Sequence, residues 1–111
     1  MITLLEQTKN ELNANGKTME DVEWVGCKEF MITKDLFQKL ADVEIDEEGS
    51  IEDIYLDLVV CGDDWWLERV TYDGNEWWEF KTKPSRPLKL RKDITSLLIN
   101  DSSKELLEEV E

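Results

Sequence analysis

Carboxylates and indoles are the side chains here whose type and spacing suggest a task. From Ala41 to Glu68 there is no lysine or arginine, and the stretch holds Asp42, Glu44, Asp46, Glu47, Glu48, Glu52, Asp53, Asp57, Asp63, Asp64 and Glu68. Carboxylates spaced along an extended chain make a line of negative charge. It is comparable with the phosphates of one nucleic-acid strand, which lie about 3.4 Å apart. Such a line attracts and steers a groove built from lysine and arginine. The plainer reading of the same residues is a solvated acidic loop with ordinary strand exteriors.

Part of this stretch imitates a calcium loop. Glu44, Asp46, Glu48, Gly49 and Ile51 fall at positions 1, 3, 5, 6 and 8 of an EF-hand register, but position 12 is Tyr55, where a bidentate glutamate is required. Catalytic chemistry is equally poorly provided. The chain has no histidine, which removes the usual general base and the commonest metal ligand. Cys27 and Cys61 form no CxxC motif and read as free, buried thiols of a reducing compartment. Asp63-Asp64 is the best carboxylate pair, yet neighbours on a strand point to opposite faces. GxSxG, P-loop, GxGxxG and HExxH patterns are all missing. The expectation is a binding protein without a cofactor or resident metal, not an enzyme.

The indoles come in two doublets, Trp65-Trp66 and Trp77-Trp78, on either side of Asp73-Gly74. Asp-Gly between two alternating runs is a strong hairpin signal. A two-residue turn sets Leu67 opposite Phe80 and Arg69 opposite Trp78, and gathers Trp65, Leu67, Trp78 and Phe80 on one face. Alternation then turns Trp66 and Trp77 to the other face. They are either covered there by another element or exposed as a contact surface, where tryptophan is enriched.

Charge is unevenly shared. The 111 residues carry 27 acids and 13 bases, a formal net charge of −14. Lys81, Lys83, Arg86, Lys89, Arg91 and Lys92 nevertheless follow one another without an intervening acid. A basic run suggests nucleic acid, but a duplex would meet the net negative charge first. The run is better read as lying against the acidic stretch, or as docking on an acidic patch of a partner. Direct nucleic-acid binding and membrane binding are not expected.

The elements that must position these residues are legible in outline. Thr3 with Glu6 opens a helix over 3–15, which Asn15-Gly16 ends. Thr18–Asp21 starts a short helical turn, and residues 23–27 and 30–32 look extended. Thr33 caps a second helix over 34–42 with Leu36, Phe37, Leu40 and Ala41 on one face. Residues 44–53 read as a loop. Residues 54–61 alternate as a strand, with Ile54, Leu56, Leu58 and Val60 on one side. Strands over 65–72 and 76–82 follow, and Pro84 and Pro87 end the sheet. Ile94, Leu97 and Leu98 suggest a helical stretch, and Ser102 with Glu105 opens a terminal helix over 103–110. The fold class is α+β in a single domain, 1–111. An antiparallel sheet of three to five strands holds a central meander, with helices from the N-terminus, middle and C-terminus packed on it.

The blocks Gly62-Asp63-Asp64-Trp65-Trp66-Leu67-Glu68-Arg69 and Tyr72-Asp73-Gly74-Asn75-Glu76-Trp77-Trp78-Glu79-Phe80-Lys81 resemble a segment of small, mostly uncharacterised acidic proteins from phages and prophages of Gram-positive bacteria. The resemblance extends to Asn15-Gly16-Lys17-Thr18 and Glu23-Trp24-Val25-Gly26, about two thirds of the chain. It implies a phage-borne protein acting in a bacterial cytoplasm and transfers no site residue. The opening Met1-Ile2-Thr3-Leu4-Leu5-Glu6 turns polar at once, and no run nears the roughly 18 apolar residues of a membrane span. The leading expectation is an inhibitor of anti-CRISPR or anti-restriction type. Its acids would occupy the basic groove of a host nucleic-acid-binding protein or nuclease, a CRISPR effector first among them. Two alternatives stand beside it. One is a phage structural or assembly protein working through Trp66 and Trp77, with a homodimer among its forms. The other is an immunity protein against a basic nuclease toxin.

Overall fold

Strand β1 is a short pair of residues, Ile2–Thr3, that runs directly into helix α1, Leu4–Ala14, in a computed structural model describing residues 2–45, 54–99 and 106–109. The Thr3 hydroxyl accepts the Glu6 N–H at 3.0 Å and so serves one of the unpaired amides of the first turn. At the other end Gly16 takes φ +73°. Lys17 N–H reaches the Leu12 carbonyl at 2.9 Å, and Gly16 N–H reaches that of Asn13 at 3.1 Å. This pair of bonds is a Schellman stop, which glycine makes at no steric cost. A 3₁₀ turn, Met19–Asp21, follows, with the Asp21 carboxylate accepting the Thr18 N–H at 2.8 Å.

Strands β2, Trp24–Gly26, and β3, Met31–Ile32, form a tight hairpin. A side chain at Gly26 would collide with the Phe30 carbonyl and Met31, so the turn needs glycine there. Helix α2, Lys34–Leu40, is capped by Thr33, whose hydroxyl accepts the Leu36 N–H at 3.0 Å. Of its apolar stripe, Phe37 and the following Ala41 are buried, whereas Leu36 and Leu40 are exposed.

Two segments differ from the sequence expectation. Glu44–Ile45, expected in a loop, is strand β4 and pairs antiparallel with β1. Ile45 is buried, and this single apolar anchor holds the start of the acidic stretch. Residues 46–53 lie outside the described residues. The expected strand 54–61 is a strand only over β5, Val59–Cys61. Its ladder with β2 stops at Gly26 opposite Val59. The preceding chain turns, with Leu58 N–H on the Tyr55 carbonyl at 3.2 Å. Ile54 and Leu58 pack on the core, and Leu56 is exposed.

The hairpin is as expected. Strands β6, Trp65–Tyr72, and β7, Asn75–Thr82, pair with Leu67 opposite Phe80 and Arg69 opposite Trp78. Asp73 and Gly74 adopt φ 51° and 81°, the left-handed pair of a type I′ turn. The main sheet has five antiparallel strands in the order β3-β2-β5-β6-β7, closing in the β5-β6-β7 meander. One row crosses all five strands: Ile32, Val25, Val60, Leu67 and Phe80. Val25, Val60 and Leu67 are fully buried, and α1 and α2 add Leu4, Leu12 and Phe37 to the same core. The architecture is α+β.

Beyond Thr82 the chain departs from expectation again. Residues 94–98 form no helix. Ser96 instead accepts the Leu98 N–H at 3.0 Å, and Leu97 and Leu98 are exposed. A short helix draws its stability from packing, and these leucines have none. Of the expected terminal helix 103–110, Leu107–Glu109 is a 3₁₀ turn, and residues 100–105 and 110–111 lie outside the described residues.

A polar clamp seats α1 on the hairpin. Trp78 is buried and donates its indole N–H to the Thr8 hydroxyl at 2.9 Å, and Thr8 donates in turn to the Leu4 carbonyl at 2.7 Å. Arg69 is also buried. Its guanidinium lies 4.7 Å from the Trp78 ring, and it donates to Glu76 at 2.8 Å and to Gln7 at 2.6 Å. Removing one partner of a buried pair leaves a charge without compensation. Arg69→Ala is therefore expected to cost about 3 kcal/mol in urea unfolding, and Thr8→Val about 1–2 kcal/mol by orphaning the indole N–H. A loss under about 1 kcal/mol for Arg69→Ala would mean the clamp does not hold the helix.

Candidate partner-binding surface

The alternation that buries Val25, Val60, Leu67 and Trp78 sends their neighbours to the opposite face of the sheet. Trp24, Cys61, Trp66 and Lys81 form one row there across four strands. Gly26, Val59, Glu68 and Glu79 form the next, and Val70 opposite Trp77 the third. Trp77 is 39% exposed, and Trp24, Trp66 and Val70 are half-buried. Both described helices join the core on the other side, so neither covers these indoles. Of the two prospects for Trp66 and Trp77, coverage by a described helix is thereby ruled out. Trp24 completes a trio that sequence reasoning missed, because its place beside Cys61 depends on the pairing of β2 with β5.

Polar groups fix part of this face. The Trp66 indole N–H donates to Glu68 at 3.4 Å. Lys81 lies 3.1 Å from Glu79 and 3.9 Å from Glu68, all three about 40% exposed, so these pairs orient side chains more than they stabilise. On the core side of the same sheet end, Gly62 admits the buried Trp65 ring, which a side chain there would strike. Lys17 stands 5.8 Å from that ring.

The acids of the 42–64 stretch do not share one line. Asp42 and Glu44 follow α2 and are exposed, and Glu44 is a strand residue of β4 instead of the first position of a calcium loop. Asp46, Glu47, Glu48, Glu52 and Asp53 lie outside the described residues. Asp57 sits in the turn before β5, while Asp63 and Asp64 sit in the turn after it, at the opposite end of that strand. The two aspartates, expected at a strand entrance, are exposed in this turn, where Asp64 uses its carbonyl to accept the Lys83 N–H at 2.7 Å. Glu23 joins the same end of the sheet through its N–H on the Cys61 carbonyl at 2.8 Å, just after Glu20 and Asp21. The indole row Trp24–Trp66 thus ends against exposed carboxylates from two parts of the chain. Among the described residues the basic run meets the acidic stretch at its start, where Lys81 lies 3.9 Å from Glu68 and the Lys83 N–H bonds the Asp64 carbonyl. Residues 82–90 are exposed, and Arg91 grips Asp93 at 2.6 and 3.0 Å, which holds the Asp93 carboxyl below its usual range.

Elsewhere an apolar recess of about 590 Å³ opens between α2 and the β2–β3 turn, lined among others by Phe30, Ile32, Phe37, Leu40 and Leu58. Among the described residues no group of three Cys, Asp or Glu could hold a metal ion. Among the described residues no helix is long and apolar enough to cross a membrane. The outer face can offer stacking, cation–π contact and apolar area, edged by negative charge. Comparison with protein-family models, with curated proteins and with solved structures finds no match.

Both cysteines are free and half-buried, not fully buried as expected. Cys61 lies between Trp24 and Trp66, and burial pushes its thiol above the usual range. The reactive species is the thiolate. In a Cys27→Ala variant, alkylation of Cys61 by iodoacetamide should be slow at neutral pH and accelerate only above the ordinary thiol range. Ligand seated on the outer face should slow it further. Fast labelling at neutral pH would contradict this environment.

Proposed function

We propose that this chain is a binding protein of a phage or prophage that inhibits a nucleic-acid-binding enzyme of the bacterial host, with a CRISPR effector nuclease as the first partner to test. The observation that carries the reading is the outer sheet face. Trp24, Trp66 and Trp77 stand on it without a described helix over them, and exposed Glu23, Asp63 and Asp64 border it. Indoles supply large contact area at low entropic cost, and a carboxylate border favours a partner rich in lysine and arginine. The same border disfavours nucleic acid itself. The geometry supports an aromatic centre with an acidic edge better than an unbroken imitation of a phosphate row, because the described acids of 42–64 occupy both ends of β5.

Titration against a purified effector nuclease and against host lysate tests this reading. Trp66→Ala and Trp77→Ala should each weaken binding by about tenfold or more. Asp63→Lys with Asp64→Lys should slow association and flatten its salt dependence. Recovery of no nuclease or DNA-binding protein from lysate at low salt would overturn it. Binding that ignores salt but is lost on Trp→Ala would favour the assembly-protein reading of the same face.

A further inference from the structure

Six of the thirteen bases fall within residues 81–92, leaving seven to set against all 27 acids in the rest of the chain. Lys81 belongs to β7, and the segment with the other five, residues 83–92, projects from the sheet as an arm. Lys83, Arg86, Lys89 and Lys92 make no ion pair among the described residues. Leu88 and Leu90 are 104% and 78% exposed. Leu88, Lys89, Leu90 and Arg91 alternate apolar and basic, the pattern of a strand with two unlike faces. Phosphate recognition has no use for those leucines, so the arm fits an acidic protein surface better than a nucleic acid.

The same chain carries a matching surface. Strand β7 is the edge of the main sheet, eight residues long, and among the described residues it pairs only with β6. The Lys83 N–H bonds Asp64, and antiparallel alternation then turns the N–H and C=O groups of Glu76, Trp78, Phe80 and Thr82 to the open side. The opposite edge, β3, has two residues and is too short to serve. The two faces of β7 also differ. Trp78 and Phe80 lie on the core face, and Trp77 and Glu79 on the outer one.

We propose that residues 88–92 of one copy add as a strand to the open β7 edge of a second copy. Leu88 and Leu90 would extend the Trp78–Phe80 side, and Lys89 and Arg91 would lie beside Trp77 and Glu79. An open edge is a template for such addition, with backbone bonds giving affinity and alternate side chains giving selectivity. Pro84 and Pro87 favour the second copy over the arm's own edge. Each holds itself and the preceding residue extended, so the arm leaves the sheet instead of turning back. The inference is independent of the inhibitor reading.

Sedimentation of the full chain over a wide concentration range tests it. The chain should associate reversibly, and Leu88→Asp with Leu90→Asp should weaken association by about tenfold or more. These side chains are exposed, so the fold is unaffected. Thr82→Pro should act likewise, because it removes an N–H that faces the open edge and not β6. A monomer at every concentration overturns the proposal. So does a dimer that survives both variants, or one lost only on Trp77→Ala. Retention on an oligonucleotide that falls on Lys89→Glu but not on Leu88→Asp overturns it in favour of an anion-binding arm.

Discussion

The bond from the Trp78 indole to the Thr8 hydroxyl ties helix α1 to the hairpin, and much of the molecule follows from it. A buried indole N–H must find an acceptor. Thr8 is free to accept because it sends its own proton to the Leu4 carbonyl. The bond therefore sets both where α1 sits along β7 and which way the helix is turned. Arg69 completes the joint by lying on the Trp78 ring while Gln7 and Glu76 satisfy its guanidinium. Once Trp78 is committed inward, strand alternation leaves Trp77 and Trp66 no choice but the outer face. A slip of one residue would exchange the two sets and strand Arg69 away from Glu76 and Gln7.

That dependence explains what sequence alone could reveal. Asp73-Gly74 fixes the turn, and the two doublets fix the phase, so the hairpin register and the outward direction of Trp66 and Trp77 were legible. The caps at Thr3 and Thr33 and the stop at Gly16 were legible for the same reason: each is a local bond with a local signature. Ile45 was not, because one apolar residue in an acidic run has no periodicity to show. Residues 54–58 misled through good alternation. Their pattern suits a strand, but the ladder with β2 ends at Gly26, where the chain turns into β3. The burial of Arg69 was hidden as well, since its partner Gln7 is 62 residues away in sequence.

The acids illustrate the same boundary. Their number is a property of composition, whereas their grouping depends on tertiary contacts. Asp57 and Asp63 are close in sequence, yet β5 places them at opposite ends of a strand. Glu23 and Asp63 are far apart in sequence, yet the β2–β5 ladder brings their segments together. An acidic border beside indoles divides two tasks. Charge acts over about 8–10 Å at physiological salt and selects which surfaces approach. The indoles act only on contact and determine what stays.

The net charge also constrains how two copies can meet. Stacking the outer faces of two molecules would bring Glu68 and Glu79 of both together, with Lys81 already engaged by its own glutamates. Bodies carrying nearly all the acids of the chain repel at any approach that presents acid to acid. The arm of residues 83–92 is the place where that repulsion changes sign, since it carries five bases and no acid. It also places Leu88 and Leu90 in solvent, where only a contact with another surface removes them from water. Electrostatics and apolar exposure thus favour arm against body over face against face. The sheet offers that arm one edge long enough to pair with.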